Sequence, residues 1–274
     1  MESLRNGVFQ EILHPAHARH QTLTLKENAV HASVRNYFIK FNHDFEGTID
    51  YMYLDIKGLV TIGVGNLIDV EKADDTMNLK KVMEELVKLP FVYKPGLDVK
   101  NPGQKASLAD IEAEWRLVKG KQDLAKQGHT AFARHTKLKL EEKSINDVAL
   151  KKADAMEKEL KTDSAFKNFD QWPADAQLGL LSMVWALGAP KIRLRWPNFK
   201  AACLKQDFDD VAKRCHINNA GNPGVVPRNT ANQRLFKNAA AVLANAGKNL
   251  AQNTQDRLML HYPHYILKPM VIRG

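Results

Sequence analysis

The hydrophobic pattern is helical in residues 34–46 and changes abruptly after residue 46. Four apolar residues recur there at intervals of three or four positions: Val34, Phe38, Phe41 and Phe45. This spacing places them on one face of a helix. Glu46 therefore falls in the last turn of a predicted helix, and Gly47 is placed to end that helix in a left-handed conformation.

The residues that follow have the composition of β-strands. Residues 50–54 and 59–64 are rich in β-branched and aromatic side chains. They flank Asp55-Ile-Lys-Gly58, a turn with Asp first and Gly last. We predict a short antiparallel hairpin, in which Asp55 at the turn and Thr61 on the returning strand face the carboxyl group of Glu46.

The chain beyond the hairpin is predicted to be mainly helical. Residues 76–89 and 144–160 carry apolar stripes, and Ser107 followed by Asp110 is typical of a capped helix start. Residues 176–187 are apolar nearly all round, which predicts a helix that is buried on every side. The predicted fold class is therefore α+β, mostly α.

Glu46 and Asp55 are candidates for acid and base chemistry because their predicted settings differ. A carboxylate at a helix C-terminus faces the negative end of the helix dipole, which raises the free energy of its charged form. Asp55 sits on a solvated turn and is expected to stay ionised. Glycoside hydrolysis uses one protonated and one ionised carboxyl group. Each residue alone also fits a structural role, so the interpretation depends on their joint spacing.

That spacing is similar to a known signature. Glu46, then Asp55 and Thr61, followed by Ile62-Gly-Val-Gly65, resemble the active-site residues of the phage-type lysozymes, glycoside hydrolase family 24. The family commonly has histidine after the second glycine, where this chain has Asn66. This departure changes the surroundings of the catalytic residues and leaves the acid, the second carboxylate and the threonine in place. Asn66 stays a candidate substrate-binding residue, at a point where we expect the chain to turn away from the sheet.

A second region extends the resemblance, which covers roughly residues 29–66 and 172–246. A Gly-, Pro- and Asn-rich loop at residues 218–229 leads into a helix that Arg228 and Arg234 open. In the family, a comparable loop and arginine-bearing helix line the lower wall of the cleft. The resemblance implies that both guanidinium groups bind saccharide or peptide carboxylates, while a pair of solvated arginines near a helix start fits the sequence as well.

The resemblance implies a lysozyme-like fold with a small antiparallel hairpin lobe, a larger helical lobe and a cleft between them. It also implies hydrolysis of the β-1,4 bond between N-acetylmuramic acid and N-acetylglucosamine in peptidoglycan, with no cofactor and no metal. In that reaction Glu46 donates a proton to the leaving oxygen, Asp55 stabilises positive charge on the sugar, and Thr61 holds the attacking water. A water between the two carboxyl groups implies inversion.

The extent of this resemblance divides the chain into an N-terminal arm at residues 1–28, a catalytic domain at residues 29–246 and a C-terminal tail at residues 247–274. Three histidines lie in the arm, but a metal site there would need more ligands and a rigid frame. We interpret this stretch as a linker or packing arm. The catalytic domain comprises the helix and hairpin, an extended middle segment and the helical lobe: residues 29–70, 71–171 and 172–246.

The chain is basic. Lysine and arginine exceed aspartate and glutamate by 40 to 31, which gives a net charge of +9 and a pI near 9.4. A basic surface favours polyanions, among them nucleic acid, anionic lipid and bacterial envelope polymers, and an ordinary solvated surface fits equally well. No nucleic-acid recognition motif accompanies the charge. We expect a monomer whose partner is the glycan strand of peptidoglycan, not nucleic acid.

We expect neither a membrane span nor a secretory signal. No apolar run approaches the roughly 18 residues that a span needs, and the N-terminus has no apolar segment. We therefore expect other means of delivery to the periplasm. A phage endolysin passes through a holin lesion, whereas an antibacterial effector is injected by a secretion system, and its producer needs a cognate immunity protein.

Two alternatives to peptidoglycan hydrolysis by a muramidase remain open. The chain could be a catalytically inactive lysozyme-like module that binds the cell wall or a partner, or a related glycosidase that acts on chitin-like polymers.

The two cysteines, Cys203 and Cys215, are too few for a disulfide framework. Buried free thiols are expected, with a bridge across a helix pair as the alternative.

Overall fold

A computed structural model describes residues 30–70, 76–96, 101–220, 224–244 and 258. Within these ranges the fold is mostly helical with two small antiparallel sheets, which confirms the predicted α+β, mostly α class. The predicted N-terminal arm, with its three histidines, and all of the tail except Leu258 lie outside the described residues.

The helices and strands of the described chain are as follows. The helices are α1 (Ala32–Glu46), α2 (Thr76–Leu86), α3 (Leu108–Lys119), α4 (Glu142–Leu160), α5 (Ala174–Leu187), α6 (Ala189–Arg195), α7 (Pro197–Leu204), α8 (Phe208–Arg214) and α9 (Val225–Ala244). The strands are β1 (Ile49–Leu54), β2 (Val60–Gly63), β3 (Asn66–Leu67), β4 (Val92–Tyr93) and β5 (Leu138–Lys139). Short 3₁₀ helices span Gln122–Gln127, His129–His135, Ser164–Phe166 and Phe169–Gln171.

Helix α1 forms where the apolar stripe predicts it. Val34, Phe38 and Phe41 are buried on its inner face, and the helix ends at Glu46 as expected. Gly47 follows with a φ of +68°, and its backbone N–H closes the last turn. That turn fixes the direction in which the Glu46 side chain leaves the helix.

The predicted hairpin is present, and a third strand joins it. β1 and β2 pair antiparallel with Tyr53 opposite Thr61, and an irregularity interrupts the ladder nearer the start of β1. β3 pairs with the other edge of β2. The expectation that the chain turns away from the sheet at Asn66 is therefore wrong. A tight turn at Val64 and Gly65 reverses the chain and adds Asn66 to the free edge of β2.

Helix α5 is the centre of the helical part, as its continuous apolar sequence predicts. Every residue from Ala174 to Trp185 is buried, and the helix contacts α1, α4 and α9. Gly179 brings α9 close, because a Cβ atom there would lie 3.0 Å from the Phe236 ring. Phe38 of α1 packs edge-on against Trp185, with ring centroids 5.4 Å apart. The helix that precedes the sheet is thus anchored in the core.

The middle segment, predicted as an extended part of the catalytic domain, packs on the sheet. Helix α3 contacts β1 and β2, and the 3₁₀ helices at residues 122–135 contact β1. The Leu140 N–H donates to the Asp50 carbonyl at 2.7 Å, so this segment covers the outer edge of β1. Ser107 and Asp110 form the predicted reciprocal cap at the start of α3. The middle segment and the hairpin therefore form one packed unit.

A buried acid joins α3 to β5. The carboxylate of Glu114 accepts hydrogen bonds from the backbone N–H groups of Lys137 at 2.5 Å and Leu138 at 3.0 Å. Burial raises the pKa of Glu114 from its ordinary value of 4.5 to about 7, against the opposing effect of these hydrogen bonds. Between those two pH values the folded protein therefore retains a proton that the unfolded chain releases.

We expect the free energy of unfolding to fall by roughly 3 kcal/mol as the pH rises from 4.5 to about 7, because the stabilising proton on Glu114 is lost over this range. The stabilisation is complete below the unfolded pKa and is lost as the proton leaves the folded site. Glu114→Gln should remove this part of the pH dependence, because glutamine does not titrate. Urea unfolding across this range, with Glu142→Gln as an exposed control, measures it. Identical pH slopes for the native and Glu114→Gln proteins would contradict the assignment.

The two cysteines, Cys203 in α7 and Cys215 just after α8, are both free and buried. Burial raises the pKa of Cys215 to about 11 and that of Cys203 well above its ordinary value. The charge of an ionised Cys215 also disfavours ionisation of Cys203. Each thiol stays protonated and packs as a small apolar side chain.

Candidate active site

Glu46 lies at the last position of α1 with a side chain that is 34% exposed. Its Oε1 accepts a hydrogen bond from Nη2 of Arg228 on α9 at 2.6 Å. Its Oε2 faces Gly65 in the turn between β2 and β3, where a Cβ atom would lie 3.3 Å away. The absence of a side chain at Gly65 thus lets the sheet approach the carboxyl group.

Arg228 is buried, with only 2% of its surface exposed. Its Nη1 donates to Oδ1 of Asn42 and to Oγ of Ser182, each at 3.0 Å, and its guanidinium lies over the Phe45 ring at 4.8 Å from the centroid. Burial lowers the pKa of Arg228, and the attraction of Glu46 opposes that shift. The sequence predicts Arg228 as a substrate contact, whereas the structure places it inside the fold as the fixed partner of Glu46.

The early start of α9 explains this placement. The helix begins at Val225, within the stretch that is predicted to be a loop. Arg228 therefore lies in its first turn and faces inward, while Arg234 is exposed on another side of the same helix. Asn66, the third predicted substrate contact, lies half-buried in β3. Arg234 and Asn66 remain accessible to a ligand.

Asp55 begins the turn between β1 and β2. Its Oδ1 accepts hydrogen bonds from the backbone N–H groups of Lys57 at 2.8 Å and Leu59 at 2.9 Å. These bonds are typical of an Asx turn, so Asp55 has the turn-forming role that its sequence position also indicates. Its Oδ2 makes no hydrogen bond with any described residue and is the oxygen that a ligand or water can reach.

Tyr53 connects the three predicted catalytic residues. It lies opposite Thr61 in the ladder of β1 and β2, so the two side chains share one face of the sheet. Burial raises the pKa of Tyr53 to about 12, and the charges of Glu46 and Asp55 contribute to that shift. Thr61 is 5% exposed, and its Oγ1 donates to the Leu59 carbonyl at 3.2 Å. Thr61 is thus the ladder partner of Tyr53, and Glu46 and Asp55 lie within electrostatic reach of the same tyrosine.

The turn that carries Asp55 is supported from outside by α3 and the residues after it. Nζ of Lys119 lies 2.6 Å from Oδ2 of Asp69 and 3.4 Å from the Gly58 carbonyl oxygen. Asp69, whose side chain is fully buried, also accepts from the first N–H of β2 at 3.1 Å. Gln122 Nε2 donates to the Gly58 carbonyl at 3.2 Å. This network fixes the turn to the middle segment.

Gly58→Ala is expected to lower the free energy of unfolding by about 1–2 kcal/mol through backbone strain, because Gly58 has a φ of +74°. A further loss should follow from displacement of Gln122, whose Oε1 collides with the new Cβ atom. Gly103→Ala is the matched control, since its φ is +80° and nothing lies within 4 Å of the added carbon. Urea unfolding compares the two. Equal losses would show that Gln122 does not support the turn.

Four residues near Glu46 and Arg228 were not predicted as site residues. The sequence pattern could have indicated two of them, Tyr53 and Lys152. Tyr53 lies near the end of the predicted strand at residues 50–54, two positions before Asp55 at the turn. Lys152 interrupts the apolar stripe of α4 between Ala149 and Met156, where a charge requires an explanation. The residues without a signal are Asn42 and Ser182.

Within the ranges that the structure describes, no group of three histidine, cysteine, aspartate or glutamate side chains could hold a metal ion. None of the helices in those ranges is long and apolar enough to cross a membrane. No protein-family model and no curated protein matches this chain. The case for a function therefore rests on the signature and on the geometry around Glu46.

Proposed function

We propose that this protein is a peptidoglycan hydrolase that cleaves the β-1,4 bond between N-acetylmuramic acid and N-acetylglucosamine. The observation that carries the proposal is the position of Tyr53, which lies within electrostatic reach of Glu46 and Asp55 and opposite Thr61. The three residues of the lysozyme-like signature come from a helix end, a turn and a strand, and yet each of them acts on Tyr53 or pairs with it. A chance match to the spacing of the lysozyme-like signature would not by itself bring Glu46 within electrostatic reach of the same tyrosine.

The proposal includes a lysozyme-like division of the fold, with the substrate bound between the sheet and the helices. Glu46 lies where α1 leaves the helical core, and its Oε2 faces Gly65 in the sheet. A glycan strand that reaches Glu46 would therefore touch both parts. Asn66 in β3 and Arg234 on α9 are the candidate contacts for sugars on either side.

Glu46 is the general acid in this mechanism. Arg228 holds its Oε1 at 2.6 Å, which leaves Oε2 to carry the proton that is donated to the glycosidic oxygen. After the transfer Glu46 is a carboxylate, and the adjacent guanidinium stabilises its negative charge. Arg228 thus positions the acid before the reaction and stabilises its conjugate base afterwards.

Asp55 and Thr61 act on the opposite face of the sugar. As the bond to the leaving oxygen breaks, positive charge develops on the ring, and Oδ2 of Asp55 stabilises it. The Thr61 hydroxyl donates to the Leu59 carbonyl and keeps lone pairs that can accept from a water molecule. That water attacks the anomeric carbon and transfers its proton to Asp55, so the configuration is inverted.

Digestion of purified peptidoglycan, followed by borohydride reduction of the new ends, tests the proposal. The expected product carries reduced N-acetylmuramic acid, whereas a glucosaminidase leaves reduced N-acetylglucosamine and a peptidase creates no sugar end. Chitin oligosaccharides test the related glycosidase in parallel. If no fragments are released from intact or peptide-stripped wall while the protein still binds that wall, the fold is a binding module and the proposal fails.

A further inference from the structure

Lys152 is a half-buried charged residue on the inner side of α4. Its neighbours on that face, Ala149 and Ala153, are buried. Its Nζ lies 5.0 Å from the centroid of the Trp185 ring on α5, and the Nε1 of that ring donates to the Val64 carbonyl at 3.1 Å. The lysine is therefore held over a fixed aromatic ring, next to the turn between β2 and β3.

The ammonium group of Lys152 is near Glu46 but is not bound to it. Glu46 attracts its charge, and the same turn that contacts Trp185 also faces Glu46 Oε2. Burial lowers the pKa of Lys152 to about 8, because part of its hydration is removed. No hydrogen bond and no ion pair joins its Nζ to any residue in the described ranges. Arg228 already holds the Glu46 carboxyl group at 2.6 Å.

Two other partly buried lysines in this fold have anionic partners. Lys161, the residue after the end of α4, lies 2.5 Å from Glu157, and Lys119 lies 2.6 Å from Asp69. Lys94, which lies over the Tyr51 ring, donates to the Thr136 hydroxyl instead. A partly dehydrated ammonium with unused donors is unfavourable for stability alone, and an apolar side chain would pack over Trp185 without that cost. The arrangement is explained if a ligand supplies the missing anion.

We propose that Lys152 binds a carboxylate of the glycan substrate beside Glu46 and so selects muramic acid-containing strands over neutral ones. This inference rests on the proposed function and names the part of the substrate that this residue recognises. N-acetylmuramic acid differs from N-acetylglucosamine by a lactyl ether at C3, on the same ring whose C1 reacts at Glu46. The carboxyl group of that ether is free in peptide-stripped strands. In intact peptidoglycan it is amide-linked, and the nearest carboxylates belong to the stem peptide.

The test compares Lys152→Met with native protein on two matched substrates. One is peptide-stripped glycan with free lactyl carboxylates, and the other is the same glycan after reduction of those groups to alcohols. Native protein should prefer the charged strands in kcat/KM by about tenfold to a hundredfold, the range of one charge-assisted hydrogen bond. Lys152→Met should lose that preference and cleave the reduced strands as well as native protein does. Intact peptidoglycan, as a third substrate, distinguishes lactyl from stem carboxylates.

The controls separate binding from folding and from acid chemistry. Lys151→Met changes an exposed neighbour on the same helix and should keep the preference, as should Lys152→Arg. Methionine retains the apolar stem over Trp185, and thermal unfolding confirms that each variant is folded. If Lys152→Met lowers cleavage of both substrates equally, the residue acts through Glu46, and the inference is overturned. An unchanged preference overturns it as well.

Direct binding keeps this inference distinguishable from the muramidase proposal. Calorimetry of charged and reduced strands with native and Lys152→Met proteins requires no turnover. Loss of the charge preference in binding, together with an inactive native enzyme, would sustain the carboxylate site and refute the hydrolase. Cleavage by a native enzyme that binds charged and reduced strands equally would do the reverse.

Discussion

Glu46→Gln is expected to lower kcat on peptidoglycan by at least about a hundredfold, the scale of a general acid, while the fold is retained. Glutamine has no acidic proton to donate, but its side-chain oxygen can still accept the hydrogen bond from Arg228, as Oε1 does at 2.6 Å. Substrate affinity should therefore change little. Initial rates of reducing-end release, together with glycan binding by the same preparations, separate the chemical step from binding.

Asp44→Asn is the matched control for this substitution. Asp44 is exposed on the same helix, and its carboxylate lies 3.7 Å from Nζ of Lys40, so its replacement removes a nearby negative charge without touching the site. Its turnover should stay close to that of the native protein. If Glu46→Gln retained native turnover, Glu46 would not be the acid. If both variants lost activity equally, the effect would come from overall charge on this helix.

Arg228→Met is expected to lower the free energy of unfolding by about 2–6 kcal/mol, because it leaves two buried acceptors without a donor at about 1–3 kcal/mol each. The substitution leaves the oxygen atoms of Asn42 and Ser182 without their buried donor and leaves Glu46 without its cation. For a chain of this size, the midpoint of thermal unfolding should fall by about 10 °C. Denaturant unfolding and calorimetry measure the two quantities independently.

Arg234→Met on the same helix is the control, because Arg234 is exposed and its loss should change stability by no more than about 0.5 kcal/mol. Arg228→Lys should recover only part of the stability. An ammonium group cannot reproduce the planar fork that serves Glu46 on one side and Asn42 and Ser182 on the other. Similar small effects at both arginines would contradict an internal role for Arg228.

The features that were predicted from the sequence depend on neighbouring residues. The stripe from Val34 to Phe45 gives α1, the pair Ser107 and Asp110 gives the start of α3, and the run Asp55–Gly58 gives the turn. In each case a helix face, a cap or a turn is determined within a few residues. The pairing of Asn66 with β2 is equally local, across the turn at Val64 and Gly65, but it was missed because β3 has only two residues, too short a pattern to predict a strand.

The same distinction applies to the candidate site. The spacing of Glu46, Asp55 and Thr61 is visible in the sequence, but their supports are not. The bond between Glu46 and Arg228 joins residues 182 positions apart, and the bond between Lys119 and Asp69 joins residues 50 apart. No local pattern indicates which of many arginines or lysines reaches a given carboxylate. Only the packing of α9 and α3 brings these partners together.

The two buried thiols are expected to react slowly with oxidants and disulfides. Disulfide exchange and most thiol oxidation require the thiolate. With a pKa of about 11, only about one Cys215 side chain in ten thousand is ionised at pH 7. Cys203 is equally enclosed and even its neighbour's charge disfavours ionisation. We therefore expect both thiols to stay reduced and unmodified for longer than an exposed cysteine would under the same oxidising conditions.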